Sequence, residues 1–101
     1  MISCVIHYRI DAHKVAEFEH YATRWISLVK QFGGQHHGYF LPSEGENDLA
    51  IAIFSFPSFA LYEQYRHDSL KDDACLSAFA YAKETACFLS YKRHFFRPVF
   101  C

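Results

Sequence analysis

Apolar side chains return along this chain with two different periods. From Ile2 to Ile10 the period is two: Ile2, Cys4, Ile6, Tyr8 and Ile10 fall on one side, and Ser3, Val5, His7 and Arg9 on the other, which predicts a strand. From Val15 the spacing lengthens to three and four. Val15, Phe18, Ala22, Trp25, Val29 and Phe32 form one helical stripe, widened by Tyr21 and Leu28. Asp11 stands where an N-cap belongs and Gly33-Gly34 where a helix stops, so the pattern predicts a helix over about residues 12–32. Gln35 to Leu41 reads as a second strand, residues 42–48 as a turn-rich connection, and Leu49 to Phe56 as a third strand. Ser58 is placed to cap a helix over about residues 59–67, which breaks near Asp68-Ser69. A continuation from about Asp72 to Cys87 sets Leu76, Phe79, Ala80 and Ala86 on one side, and Phe88 to Phe96 closes as a last strand, stopped by Pro98.

This order, β-α-β-β-α-β, predicts a single α+β domain over residues 1–101, ferredoxin-like, with one four-stranded antiparallel sheet. Right-handed crossovers put the first and third strands in its centre and the second and fourth at its edges. The edge segments carry the residues that blunt edges: His36, His37 and Gly38 on one, Lys92, Arg93, His94 and Pro98 on or after the other. The third strand has almost no polar side. Leu49, Ile51 and Ile53 alternate with Ala50, Ala52, Phe54 and Phe56, and the last strand sets Leu89, Tyr91 and Phe95 against Phe88 and Phe96. Two helices cover one face of such a sheet, and a face left to water should read polar. The expected cover for the other face is the same sheet of a second copy, making a homodimer shaped as a dimeric α+β barrel.

Composition sharpens this. Of 101 residues, 51% are hydrophobic and 19% aromatic, which is more than one small core requires. Ten basic against eleven acidic residues leave a net charge of −1, without the basic excess of a nucleic-acid binder. No apolar run approaches the length of a membrane span, and the start, Met1-Ile2-Ser3-Cys4, has no positive stretch of the signal-peptide kind. Cys4, Cys75, Cys87 and Cys101 form no C-x-x-C pair, so reduced thiols in a cytoplasmic protein are expected, with Cys101 the exposed and oxidisable one. Phosphate-loop, dinucleotide and nucleophile-elbow motifs are missing, and no tightly bound cofactor is expected.

Three segments carry a resemblance. Phe32-Gly33-Gly34-Gln35-His36-His37-Gly38-Tyr39-Phe40-Leu41-Pro42-Ser43-Glu44-Gly45, then Ser55-Phe56-Pro57-Ser58-Phe59-Ala60-Leu61-Tyr62-Glu63-Gln64-Tyr65-Arg66, and the closing Arg93-His94-Phe95-Phe96-Arg97-Pro98-Val99 resemble the NIPSNAP family of small domains. The resemblance implies a dimeric α+β barrel, a superfamily that also holds cofactor-free quinone-forming monooxygenases, muconolactone isomerase and haem-handling relatives. Members often carry an arginine two residues before the first-strand tyrosine; this chain keeps Tyr8 and has Ile6. Pockets in relatives lie between helices and sheet, which gives Trp25 a place in a pocket wall beside its plainer role in the core.

Adjacent strand residues point to opposite faces, so His36 and His37 cannot chelate one metal together. On a regular strand His37 shares its face with Gln35 and Tyr39. That trio suggests a small-ligand site with His37 as base and Tyr39 and Tyr8 orienting the ligand; the plainer reading is a hydrogen-bonded edge histidine. Tyr62, Tyr65 and Arg66 can rim the opening or simply pack. Arg93 and Arg97 can clamp a carboxylate or pair across an interface. His13, Glu17 and His20 share a helix face at metal-ligand spacing, but Arg24 extends the same stripe, and a solvated face with no metal is expected. The reading that follows is a cofactor-independent enzyme or binding protein for a small hydrophobic or aromatic metabolite. The competing one is a non-catalytic homodimeric interaction module in which every aromatic is packing.

Overall fold

In the computed structural model, which describes residues 1–100, seven elements follow in order: β1 (Ile2–Ile10), α1 (Val15–Gln31), β2 (Gln35–Phe40), β3 (Leu49–Phe56), α2 (Phe59–Ser69), α3 (Asp73–Thr85) and β4 (Phe88–Phe96). Cys101 lies outside the described residues. The strands form one antiparallel sheet in the order β2-β3-β1-β4, so the two most apolar strands are its centre, as their patterns require. All three helices lie on one face, and the fold measures only 18 Å along its shortest axis. It is therefore a two-layer slab.

The α1 stripe drives the packing. Phe18, Tyr21, Ala22, Trp25, Leu28 and Val29 are its buried residues, and they lie on Cys4, Ile6, Tyr8, Ala50, Ala52, Phe54 and Phe56 of the central strands. The helix stops in a Schellman turn: Gly33 N–H donates to the Lys30 carbonyl at 3.1 Å and Gly34 N–H to that of Val29 at 2.9 Å. Its start differs from expectation. The Asp11 carboxylate accepts from His13 N–H at 2.9 Å and its carbonyl accepts from Lys14 N–H at 2.8 Å, so Asp11 closes a separate turn and α1 begins at Val15 without a side-chain cap. Ser58 and Asp72 do cap α2 and α3, through Leu61 N–H and Cys75 N–H. On α3 the buried residues are Cys75 and Ala78, while Leu76 and Phe79 stay 44% and 40% exposed. The small side chains sit where α3 meets α1, and Phe79 reaches beside them to pack on Trp25 at 5.0 Å.

Both edge strands contain a bulge that simple alternation misses. In β2, His36 pairs with Phe54 but Gly38 pairs with Ile53, so His37 is the extra residue. In β4, Ser90 pairs with Arg9 but Phe88 pairs with Ile10, so Leu89 is extra and 72% exposed. Phe88 thus joins Tyr91 and Phe95 on the helix side, against the expectation that it opposes them. The outer face of β4 reads Ser90, Lys92, His94 and Phe96, and the apolar outer surface narrows to half-buried Val5, Leu49, Ile51 and Ile53 on the central strands. The loop between β2 and β3 is tied to β1 by Arg9, which pairs with Glu46 and, at 3.1 Å, with Asp48.

Candidate functional site

Between the helices and the sheet lies a cavity of about 440 Å³. Its floor is Ile6 and Tyr8 of β1, Phe54 of β3, His36 and Tyr39 of β2, and Tyr91 and Arg93 of β4; α1 contributes Tyr21, Trp25 and Val29, and α2 Tyr62, Tyr65 and Arg66. A second cavity, of about 450 Å³, shares Tyr8, Tyr21, Phe79, Tyr91 and Arg93 with the first and adds Lys83 and Phe88. Five of the seven residues expected at a site line the first cavity: Tyr8, Trp25, Tyr39, Tyr62 and Arg66. His37 and Arg97 do not.

The β2 bulge explains His37. The extra residue sets His36, not His37, on the face of Tyr39, and the two rings stack at 4.9 Å and 12°. His37 turns to the outer face, where its Nε2 lies 2.8 Å from the Ser55 hydroxyl, which is in turn 2.6 Å from that of Ser3. Arg97 follows the end of β4 and is exposed. Arg93, two pairs back along β4, takes the inward place: it pairs with Ile6, so a guanidinium stands beside the first-strand position that resembles a family arginine site. Two features hid these residues from sequence. An inserted strand residue leaves no local mark beyond Gly38, and β4 has two equally placed arginines on one side of alternation. The helical trio does not gather either: His20 accepts from Arg24 at 3.2 Å and packs on Tyr81.

The site is rich in donors. Burial pushes the hydroxyls of Tyr8, Tyr21, Tyr39 and Tyr65 above the ordinary phenol range, so at neutral pH they hold their protons and Tyr39 is no base. Tyr62 accepts from Arg66 Nη1 at 3.0 Å. Arg93 lies over the Tyr91 ring at 5.4 Å, and its Nε has no partner although buried; the indole N–H of Trp25, likewise buried, neighbours the Tyr21 hydroxyl without reaching hydrogen-bond geometry. Buried polar groups nearly always find partners, so these two donors, just behind the wall of one cavity, would gain from a side-chain adjustment that opens them to a ligand oxygen or to water.

His36 is held neutral. Burial, with help from neighbouring His37, lowers its pKa from 6.5 to about 4. Gly38 N–H donates to its Nδ1 at 2.9 Å, which leaves the proton of the neutral ring on Nε2. His36 therefore offers a ligand a donor rather than a basic lone pair. The unfolded chain binds this proton near pH 6.5 and the folded chain resists it, so the contribution is complete above pH 6.5 and is lost as pH falls through about 4. Discounted for partial exposure, the loss between pH 7 and 4.5 is about 1–2 kcal/mol. Urea titrations should show wild type losing that much more than His36→Gln over the same interval; equal losses would contradict the buried neutral ring.

The NIPSNAP family model matches residues 4–100. Among solved structures, the chain is similar to a NIPSNAP family protein with unknown function from Agrobacterium tumefaciens, at 18% identity and TM-score 0.82, over 97% of this chain and 87% of that one. An uncharacterized NIPSNAP domain protein from Burkholderia xenovorans is 17% identical with TM-score 0.81, over 100% and 98%. A candidate antibiotic biosynthesis monooxygenase from Nitrosomonas europaea superposes with TM-score 0.74 at 7% identity, over 99% and 100%. These likenesses show the fold. No curated protein matches the chain.

Proposed function

From the premise that the chain belongs to the NIPSNAP family, whose fold is shared and whose activity is undefined, we propose that it binds a small hydrophobic or aromatic metabolite bearing an acceptor oxygen. No tightly bound cofactor is invoked. The observation that carries this reading is the cavity of about 440 Å³, walled by aromatic rings and lined by Trp25 and Arg93, whose indole N–H and Nε are buried just behind the wall without a hydrogen-bond partner. Its size is that of a small-molecule site, and a mostly apolar wall with a few fixed polar groups is how such sites gain both affinity and orientation.

As an enzyme, the site would stabilise negative charge growing on a carbonyl or enol oxygen, with Trp25, His36 and Arg93 as donors already in place. Base catalysis by His37 is not part of the proposal, because that ring lies on the other face of the sheet. Tyr8 and Tyr39, whose rings lie 6.2 Å apart at 27°, would form one aromatic wall for the ligand ring to pack against. A thermal-shift screen with aromatic ketones, naphthols and quinones tests this. A specific ligand at a hundred times its Kd stabilises by about 2.7 kcal/mol, a rise of several degrees in Tm for a chain of this length. No shift with any of them would overturn the reading.

Assembly is the second proposal. The half-buried outer residues Val5, Leu49, Ile51 and Ile53, with exposed Phe40 and Phe96 beside them, favour pairing of two sheets into a homodimer. Sedimentation at micromolar concentration should give twice the chain mass; a stable monomer would rule this pairing out.

A further inference from the structure

Every fixed charge on the two adjoining cavities is positive. Arg66 and Arg93 line the first, Arg93 and Lys83 the second, and no aspartate or glutamate lines either. Among the described residues the only ion pairs are those of Arg9, on the outer face of the sheet, so neither arginine is paired with an acidic side chain. Arg93 is the central one. It stands on the wall common to both cavities, its guanidinium is steadied over Tyr91 at 5.4 Å, and its buried Nε is unpartnered. A half-buried cation on an aromatic wall, with no anion of the protein beside it, gains from an incoming one, and a carboxylate is the group whose two oxygens match the guanidinium fork. The neighbouring orphan, Trp25 N–H, is a donor too, and His36 offers only a donor. A neutral hydrocarbon would leave all of these unsatisfied.

On the reading that the cavity binds a small aromatic metabolite, we infer that this metabolite is an anion, an arene carrying a carboxylate that Arg93 receives, with the ring packed against the wall that Tyr8, Tyr39 and Trp25 form. The carboxylate draws on Arg66 or Lys83 according to which cavity its ring enters. Arg93 serves either arrangement because it borders both.

Calorimetry with a matched pair tests the charge directly, using 2-naphthoate and 2-naphthamide at neutral pH. The two have nearly the same shape and differ by one negative charge. The wild-type protein is expected to bind the acid at least tenfold tighter than the amide, and added salt should narrow that gap. Arg93→Met is expected to bring the acid to the affinity of the amide while leaving the amide unchanged, with the circular dichroism and melting curve confirming a folded chain. If Arg93→Met does not fold, the wild-type comparison still decides. Equal binding of acid and amide by wild type, or equal weakening of both by Arg93→Met, overturns the anionic ligand and leaves the aromatic site standing. Absence of binding by both overturns the anion inference together with the aromatic site on which it rests.

Discussion

Gly34→Ala is expected to cost about 2–3 kcal/mol of stability, an overpacking effect in a core that cannot yield. A Cβ built on Gly34 meets Val29 Cγ1 at 2.6 Å and Phe56 Cζ and Cε2 at 2.7 and 2.8 Å. Both neighbours are 1% exposed, and Phe56 is held on its other side by Tyr65, stacked at 5.1 Å, and by Tyr62. The chain must approach this closely because Gly34 ends the α1 turn and Gln35 already begins β2. The clash can be relieved from the other side. Phe56→Leu alone should cost about 1–2 kcal/mol through lost packing, yet the double variant should be more stable than the sum of the two losses predicts. Guanidinium unfolding of the four proteins measures this coupling. Strict additivity, or a loss below about 0.5 kcal/mol for Gly34→Ala, would mean that Phe56 does not fill the space beside Gly34.

The second large effect is expected at the β2 bulge. Gly38 has φ +117°, a conformation that a β-branched residue adopts only under strain, so Gly38→Val should cost about 2 kcal/mol or more. The functional consequence is larger. The bulge is what lets His36 and Tyr39, three positions apart, stand on one face, and Gly38 N–H is what fixes the His36 ring. A strand that escapes the strain by slipping one residue turns one of the two outward. Gly38→Val is therefore expected to abolish the thermal shift given by whichever aromatic compound stabilises wild type. His37→Ala, on the outer face, should keep that shift. The opposite pair of results, with His37→Ala losing the response and Gly38→Val retaining it, would restore His37 to the site and remove His36.

Much of this architecture was readable from spacing. The α1 stripe named in sequence order is the stripe that is buried, because a helix rotates each residue by a fixed angle whatever surrounds it. The continuous apolar runs of β1 and β3 placed them centrally, and Ser58 marked a true helix start, since a cap needs only its own next turn. Asp11 shows the limit of such local signals: its carboxylate found His13 N–H in a preceding turn instead. Which residues of α3 are fully buried is likewise not a local matter. Leu76 and Phe79 are the larger hydrophobes, but Cys75 and Ala78 are the residues fully buried, while Phe79 packs at the rim on Trp25.

The candidate site divides in the same way. Sequence alone determined which residue types were present to build an aromatic, donor-bearing pocket, and it singled out Tyr8, Trp25, Tyr39, Tyr62 and Arg66 from four separate elements. Only the tertiary structure decided between His36 and His37 and between Arg93 and Arg97. On a strand, the face of a side chain depends on a count of residues taken against the partner strand, and one inserted residue reverses it. The insertions at His37 and Leu89 exist only in the pairing of β2 with β3 and of β4 with β1, so no reading of either segment by itself contains them.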